Sequence, residues 1–360
     1  MPPPGNGENY NANCRGRGKR GGVSGTIEAL PLEPLAAYLA RQLTGFRHLR
    51  GARKFPGGQS NPTYLLDAES GQYVLRRKPP GQLLKSAHAV DREYRVLAAL
   101  AGTGTPVPRV FHLCTDESVI GSMFYVMEFV TGHIYWDPML PELGPPARTR
   151  IYAEMGRILA ALHSVDPVAV GLGDYGRPGQ YYERQIRRWT EQYRATETER
   201  REDLERVMDW LPGHVPSDDG RVAIVHGDFR LDNIVFDGDG RALAILDWEL
   251  STLGHPWADL AYQCAQWHLP AGVLRGLAGV DRAALGIPTE EEYVAAYRRR
   301  TGAPVIENWN FYLAVSLFRL AAICQGVYKR ALDGNASSSD ALRFGKVTAE
   351  IGAVAVRLLD

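Results

Sequence analysis

The chain has 360 residues, 45% of them hydrophobic, and its 41 basic and 41 acidic side chains give a formal net charge of zero. That length allows one large domain or two lobes around a sizeable core, and the charge balance excludes an electrostatic case for nucleic acid or an acidic membrane surface. Cys14, Cys114, Cys264 and Cys324 lie far apart with no Cys-x-x-Cys pair, so they read as reduced thiols and not as a zinc site or disulfide framework.

No apolar run of membrane-span length stands out, and the N-terminus lacks the apolar centre of a signal peptide. The expectation is a cytoplasmic monomer or homodimer with no membrane or nucleic-acid partner.

Residues 1–27 are rich in Gly, Pro, Asn and Arg, a composition that buries little apolar area and reads as a disordered tail. A short helix follows, with Leu32, Leu35, Ala36 and Leu39 on one face. Three strands are expected over 46–55, 63–68 and 73–78, with Glu69-Ser70-Gly71 as a turn. Between the first two lies Pro56-Gly57-Gly58-Gln59-Ser60-Asn61. Gly58 would let backbone N–H groups approach phosphate oxygens, and Ser60 could add a hydroxyl, although Gly-Gly also serves ordinary hairpin loops. Strand alternation puts Val74, Arg76 and Lys78 on one face of the third strand.

Residues 83–101 read as an amphipathic helix carrying Val90, Tyr94, Leu97 and Leu100 at helical spacing, with Glu93 among them. Two more strands are expected over 110–113 and 123–130. From about 131 the pattern turns helical. Ile151, Met155, Ile158, Leu159 and Leu162 form one face, with His163 expected as a helix C-terminal cap. Two polar helices are expected within 178–211. The first is cationic and aromatic, from Tyr181 to Trp189, and contains Arg184 and Arg188. Further helices are expected at about 290–300, 309–331 and 338–359.

The chemistry concentrates at 225–249. Apolar runs Ile224-Val225 and Ile234-Val235-Phe236 flank His226-Gly227-Asp228, and a third run from Ala242 to Leu246 ends on Asp247. Gly238-Asp239-Gly240 reads as the turn of a hairpin. Strand ends would then gather Asp228, Asn233 and Asp247. One carboxylate, Asp228, can accept the proton of an attacking hydroxyl. The Asn233 amide oxygen and the Asp247 carboxylate can hold Mg²⁺, a hard ion that prefers oxygen. The Asp-x-x-x-x-Asn spacing with a later Asp on the next hairpin is that of protein kinases.

His226-Gly227-Asp228-Phe229-Arg230-Leu231-Asp232-Asn233 and Ile245-Leu246-Asp247-Trp248-Glu249 resemble the aminoglycoside phosphotransferase and choline kinase superfamily. The wording is similar to its branch fused to acyl-CoA dehydrogenases in animals and free-standing in bacteria. The resemblance implies an α+β, bilobal protein-kinase-like fold, with a five-stranded antiparallel N-lobe bearing one helix and a mainly helical C-lobe. It implies a tail over 1–27, an ATP-binding N-lobe over 28–130, and a catalytic and substrate-binding C-lobe over 131–360 with a helical insert at about 178–211. The activity implied is transfer of a phosphoryl group from ATP, with Mg²⁺, to a hydroxyl of a small molecule.

On this resemblance Arg76 stands where the superfamily has a phosphate-binding Lys, a substitution a guanidinium can support chemically. Glu93 would pair with it. The backbone of Glu128, Phe129 and Val130 would meet adenine. Asp259 and His226 would brace the catalytic loop, and Glu249 could reach the metal. Arg184, Arg188 and Trp189 could face the acceptor. An aminoglycoside is a polycation and calls for carboxylates, so the cationic helix favours an anionic or acyl acceptor such as a hydroxyacyl-CoA. Trp248-Glu249 in place of Phe-Gly, with no Ala-Pro-Glu after it, argues against a protein kinase. An aminoglycoside kinase, a nucleotide-binding pseudokinase scaffold, and a metal-dependent hydrolase using His226, Asp228, Asp247, His255 and Asp259 remain as other readings.

Overall fold

The computed structural model describes residues 30–55, 61–79, 89–335 and 339–359. The expected tail and the loop with Gly58 and Ser60 lie outside these residues. In chain order the first elements are α1 (Leu32–Gln42), β1 (Leu49–Lys54), β2 (Thr63–Ala68), β3 (Gly71–Arg77), α2 (Val90–Leu100), β4 (Val110–Cys114) and β5 (Phe124–Glu128). Next come α3 (Pro145–His163), α4 (Tyr181–Thr196), α5 (Glu202–Trp210), β6 (Ala223–Val225), β7 (Ile234–Phe236), β8 (Ala242–Ile245) and β9 (Thr252–Gly254). Helices α6 (Trp257–His268), α7 (Arg282–Leu285), α8 (Glu290–Thr301), α9 (Trp309–Leu332) and α10 (Phe344–Ala355) follow. They group into two compact units: residues up to Ile134 with Ile234–Glu249, and Tyr135–Asn233 with Leu250 onward.

The first unit is built on an antiparallel sheet in the order β1-β2-β3-β5-β4. Strand alternation sorts its two faces. Tyr64, Leu66, Leu75 and Val126 share a buried core with Leu35 and Leu39 of α1. Burying a leucine of this kind contributes about 1.5–3 kcal/mol. The cross-strand row Thr63, Arg76, Tyr125 belongs to the other face, where Glu93 of α2 meets both Arg76 and Tyr125. The helix bearing Glu93 is described over Val90–Leu100, and the expected stretch 83–88 lies outside the described residues. The first strand starts later than expected, at Leu49, because Phe46 packs in the α1 core. Strands β7 and β8 pair as the expected hairpin. Phe236 bridges to His133, and the Ile245 N–H donates to Pro106, which ties the hairpin to this unit.

The second unit is helical apart from the short β6–β9 pair. Ile151, Met155, Ile158, Leu159 and Leu162 are buried as the α3 pattern predicts. Helix α8 opens on a capping box, Thr289 with Glu292, and closes at Gly302 with φ +69°. Helix α9 corrects an expectation: it is long and apolar enough to cross a membrane, by length and composition alone. Of its most apolar window 72% is buried within the protein, packed against α4, α6 and α10.

Candidate active site

The second unit carries the candidate catalytic loop, residues 226–233. Leaving β6, the chain turns at Gly227, whose φ is +81°. A Cβ there would lie 2.5 Å from the Leu250 carbonyl oxygen, so the turn requires glycine. The Asp259 carboxylate accepts the backbone N–H groups of His226 at 2.6 Å and Gly227 at 2.8 Å. It also lies 3.2 Å from His163 Nε2, while His163 Nδ1 is 2.8 Å from the Tyr297 hydroxyl. His163 therefore joins a buried network and does not cap α3, because side-chain partners replace the last carbonyls. Burial alone would raise the Asp259 carboxyl, yet the bond and charge of His163 and the His226 amide hold it below its ordinary range.

His226 is fully buried, and its Nδ1 accepts the Asp228 N–H at 3.1 Å. Asn233 Nδ2 donates to the Asp228 carbonyl at 2.9 Å and to Asp228 Oδ2 at 3.1 Å. That orientation commits the amide nitrogen and leaves the amide oxygen as the donor atom for a hard cation. Arg230 Nε lies 3.6 Å from Asp228 Oδ1, and its Nη2 pairs with Asp232 at 2.9 Å.

Arg319 is a member of this loop's support that sequence reasoning passed over. Its guanidinium donates to the Gly227 carbonyl. It is stacked between the rings of Trp189, 5.3 Å to the centroid, and Tyr262, 4.8 Å to the centroid. The signal was present as a lone arginine inside the apolar pattern of 311–323. Tyr262 is also at the loop: burial first, then the Asp228 carboxylate, raises its phenol.

The first unit carries a buried charge cluster. Arg76 Nε lies 2.8 Å from Glu93 Oε2, and its Nη2 lies 2.7 Å from Asp247 Oδ1 and 3.4 Å from Glu249 Oε2. Asn61 Nδ2 and the Tyr125 hydroxyl also donate to Glu93, at 2.6 and 3.1 Å. Burial pushes the Glu93 carboxyl up to about 7, with Arg76 pulling the other way. Asp247 adopts a left-handed backbone, φ +64°, a conformation that costs a non-glycine residue about 1–3 kcal/mol and collects at functional sites. Trp248 is buried just after it and donates from Nε1 to Ile245.

Both units therefore present donors that suit magnesium. Around Arg76 lie the carboxyls of Glu93, Asp247 and Glu249. Within the first unit one oxygen of Asp247 is taken by Arg76; within the second, taken by itself, Asn233 has its amide oxygen left to offer. Oxygen donors of this kind fit a hard divalent ion.

Other predicted residues fall as follows. Glu128 ends β5 with its N–H on the Arg109 carbonyl, and Phe129 and Val130 follow it. Arg184 donates to the carbonyls of Gly179 and Arg177. Trp189 is buried, donates to Gln185 and stacks with Arg319, which removes it from direct contact with an acceptor. Arg188 is exposed above the Trp189 ring. Arg77, the neighbour of Arg76, is buried with its Nε on Ser122. The hydrolase set does not assemble. His255 faces Asp219, Asp259 is committed to the loop amides, and no group of three or more His, Cys, Asp or Glu among the described residues is placed to hold a metal.

Similar proteins fall in one family. A family model described as the phosphotransferase enzyme family matches residues 51–307. Acyl-CoA dehydrogenase family member 10 of Mus musculus is 50% identical over 333 residues, covering 91% of this chain and 31% of that protein. Acyl-CoA dehydrogenase family member 11 of Homo sapiens is 41% identical over 348 residues, covering 94% of this chain and 45% of that protein. The chain thus spans less than half the length of these curated relatives. A Ralstonia eutropha protein provisionally assigned as an aminoglycoside phosphotransferase has a crystal structure that matches with a TM-score of 0.84 and 49% identity, over 92% of this chain and 98% of that one. Spectinomycin phosphotransferase, solved with ADP and spectinomycin, matches at a TM-score of 0.61 and 14% identity over 91% of this chain and 98% of that one, a likeness of fold alone.

Proposed function

The chain belongs to the phosphotransferase enzyme family, and we propose that it transfers the γ-phosphoryl group of ATP to a hydroxyl of a small acyl substrate, with a hydroxyacyl-CoA as the leading candidate. The observation that carries the reading is the Asn233 amide clamped to Asp228, which fixes a catalytic carboxylate and a metal-facing oxygen on one loop.

Asp228 accepts the proton of the acceptor hydroxyl and orients its oxygen for attack. Asn233 and Asp247 are the residues that would hold magnesium, each through an oxygen donor. When bound, MgATP supplies the transferable phosphoryl group and a cation to offset its charge. Arg76, braced by Glu93, neutralises phosphate charge, and Asp259 with His226 keeps the loop in shape. Gly58 and Ser60 are assigned to the phosphates, and the backbone of 128–130 to adenine. The acyl assignment draws on the relatives' names, acyl-CoA dehydrogenase family members. ADP and AMP-PNP in structures of the same fold support the nucleotide.

Calorimetric titration with ATP, with and without Mg²⁺, tests the first half. Mg²⁺-dependent binding is expected, and no binding under either condition would sink the kinase reading. An acceptor screen tests the second half: phosphorylation of an amino sugar with hydroxyacyl-CoA esters untouched would reassign the substrate.

A further inference from the structure

Beside the catalytic loop the second unit contains a cavity of about 700 Å³, within the size range of small-molecule sites. Arg230, Arg275, Arg343 and Lys346 line it, against the carboxylates Asp232 and Glu350. Asp232 pairs with Arg230, and Glu350 lies 3.6 Å from Lys346. The Arg275 charge also acts on Asp232, and with four basic side chains against two carboxylates the wall carries an excess of positive charge. Trp136, 48% exposed, forms part of the same wall.

The wall is held in place. Leu274 and Arg275 both have left-handed backbones, φ 47° and 60°. Such strain in non-glycine residues persists where the surroundings over-determine it, and it collects at ligand clamps. The surroundings do so here: Leu277 and Ala278 donate to Gln266 and Leu269 at the end of α6. A Cβ on Gly276 would stand 1.9 Å from the Leu269 carbonyl oxygen. The Arg275 guanidinium donates to the Trp136 carbonyl and lies 6.0 Å from its ring centroid. Arg230 joins the cavity to the chemistry, since its Nε is 3.6 Å from Asp228 Oδ1.

We propose that this cavity receives a phosphate- or pyrophosphate-bearing tail of the acceptor, with Arg275, Arg343 and Lys346 on the phosphates and Trp136 against an adjoining flat ring. Fixed guanidinium groups suit phosphate oxygens, and an exposed indole offers a stacking face. The inference rests on the phosphotransferase reading and deepens it: the acceptor is recognised by charge at a distance from its reacting hydroxyl.

The test uses the full chain and calorimetric titration with coenzyme A, pantetheine and inorganic pyrophosphate, all with saturating AMP-PNP to fill the nucleotide site. Coenzyme A should bind, and pantetheine, which lacks the phosphates, should not compete with it. The variants Arg275→Glu and Arg343→Glu/Lys346→Glu should each weaken coenzyme A about tenfold or more and leave the affinity for ATP unchanged. The exposed Arg343 and Lys346 pair serves where Arg275→Glu disturbs the loop. Unchanged coenzyme A affinity in both variants, loss of binding when AMP-PNP is present, or pyrophosphate binding as tightly as coenzyme A would each overturn the tail site. Binding that follows the charges without any phosphoryl transfer upholds the cavity and removes the kinase reading. Equal transfer to hydroxyacyl-pantetheine and hydroxyacyl-CoA does the reverse.

Discussion

Arg76 and Glu93 meet at 2.8 Å with both side chains almost entirely out of solvent, so the conformation of the Arg76 side chain is set by a residue on α2. A buried ion pair contributes little as a pair, but removing one partner strands the other charge. Glu93→Ala should destabilise the chain by about 3–5 kcal/mol. Glu93→Gln, which keeps the bond from Tyr125, should cost less. Chemical denaturation of the three proteins measures both.

The same carboxyl makes stability depend on pH. Its value is raised from 4.5 to about 7, so the folded chain retains a proton there that the unfolded chain has released. This contribution is fully present below the unfolded value and is lost as pH rises through the folded one. The melting temperature of the wild type relative to Glu93→Gln should therefore fall as pH is raised across that window. A difference that stays flat would mean that Glu93 is ionised in the folded chain throughout.

Asp259 behaves in the opposite sense. Its carboxyl is depressed in the folded chain, so its stabilisation is present above the unfolded value of 3.8 and is lost as pH falls through the folded one. Asp259→Ala removes the acceptor of two buried backbone N–H groups and should cost about 3 kcal/mol. It should also lower turnover through the loop, and differential scanning fluorimetry beside a phosphotransfer assay separates the two effects.

Asp228→Asn should reduce kcat by about 10²–10⁴ while ATP binding persists. A scaffold without catalysis would show no change. Asp247→Asn should instead abolish the Mg²⁺ dependence of ATP binding, read by calorimetry.

Arg319→Met keeps an unbranched side chain between Trp189 and Tyr262 but loses the donor to Gly227. We expect kcat to fall about tenfold, the equivalent of one hydrogen bond to a charged group, with the affinity for MgATP unaltered. Steady-state kinetics and nucleotide titration together distinguish this from general unfolding.

Much of this was legible in the sequence because it depends on local pattern. The alternation of β3 puts Arg76 on the face opposite Leu75, and the apolar spacing of α3 is seen in its buried residues. The spacing of Asp228 and Asn233 is short enough for one loop to join them by a hydrogen bond. What could not be read depends on contacts between distant segments. His163 looked like a helix end because its partners, Asp259 and Tyr297, lie 96 and 134 residues away. Trp189 could be placed facing the acceptor because Arg319, whose guanidinium stacks on it, comes 130 residues later in the chain. The cavity wall at 270–275 carries no periodicity at all, and its strained backbone has no sequence signature without glycine.

The left-handed backbone of Asp247 has a consequence for how this domain can decay. Asparagine and glycine tolerate that conformation, and most other residues do not. The replacements that fold most readily at 247 are therefore those that delete the carboxylate proposed to face the metal. A descendant that has lost its chemistry by this route would accumulate in a cell as well as an active one, so protein abundance alone would not reveal which copies still work.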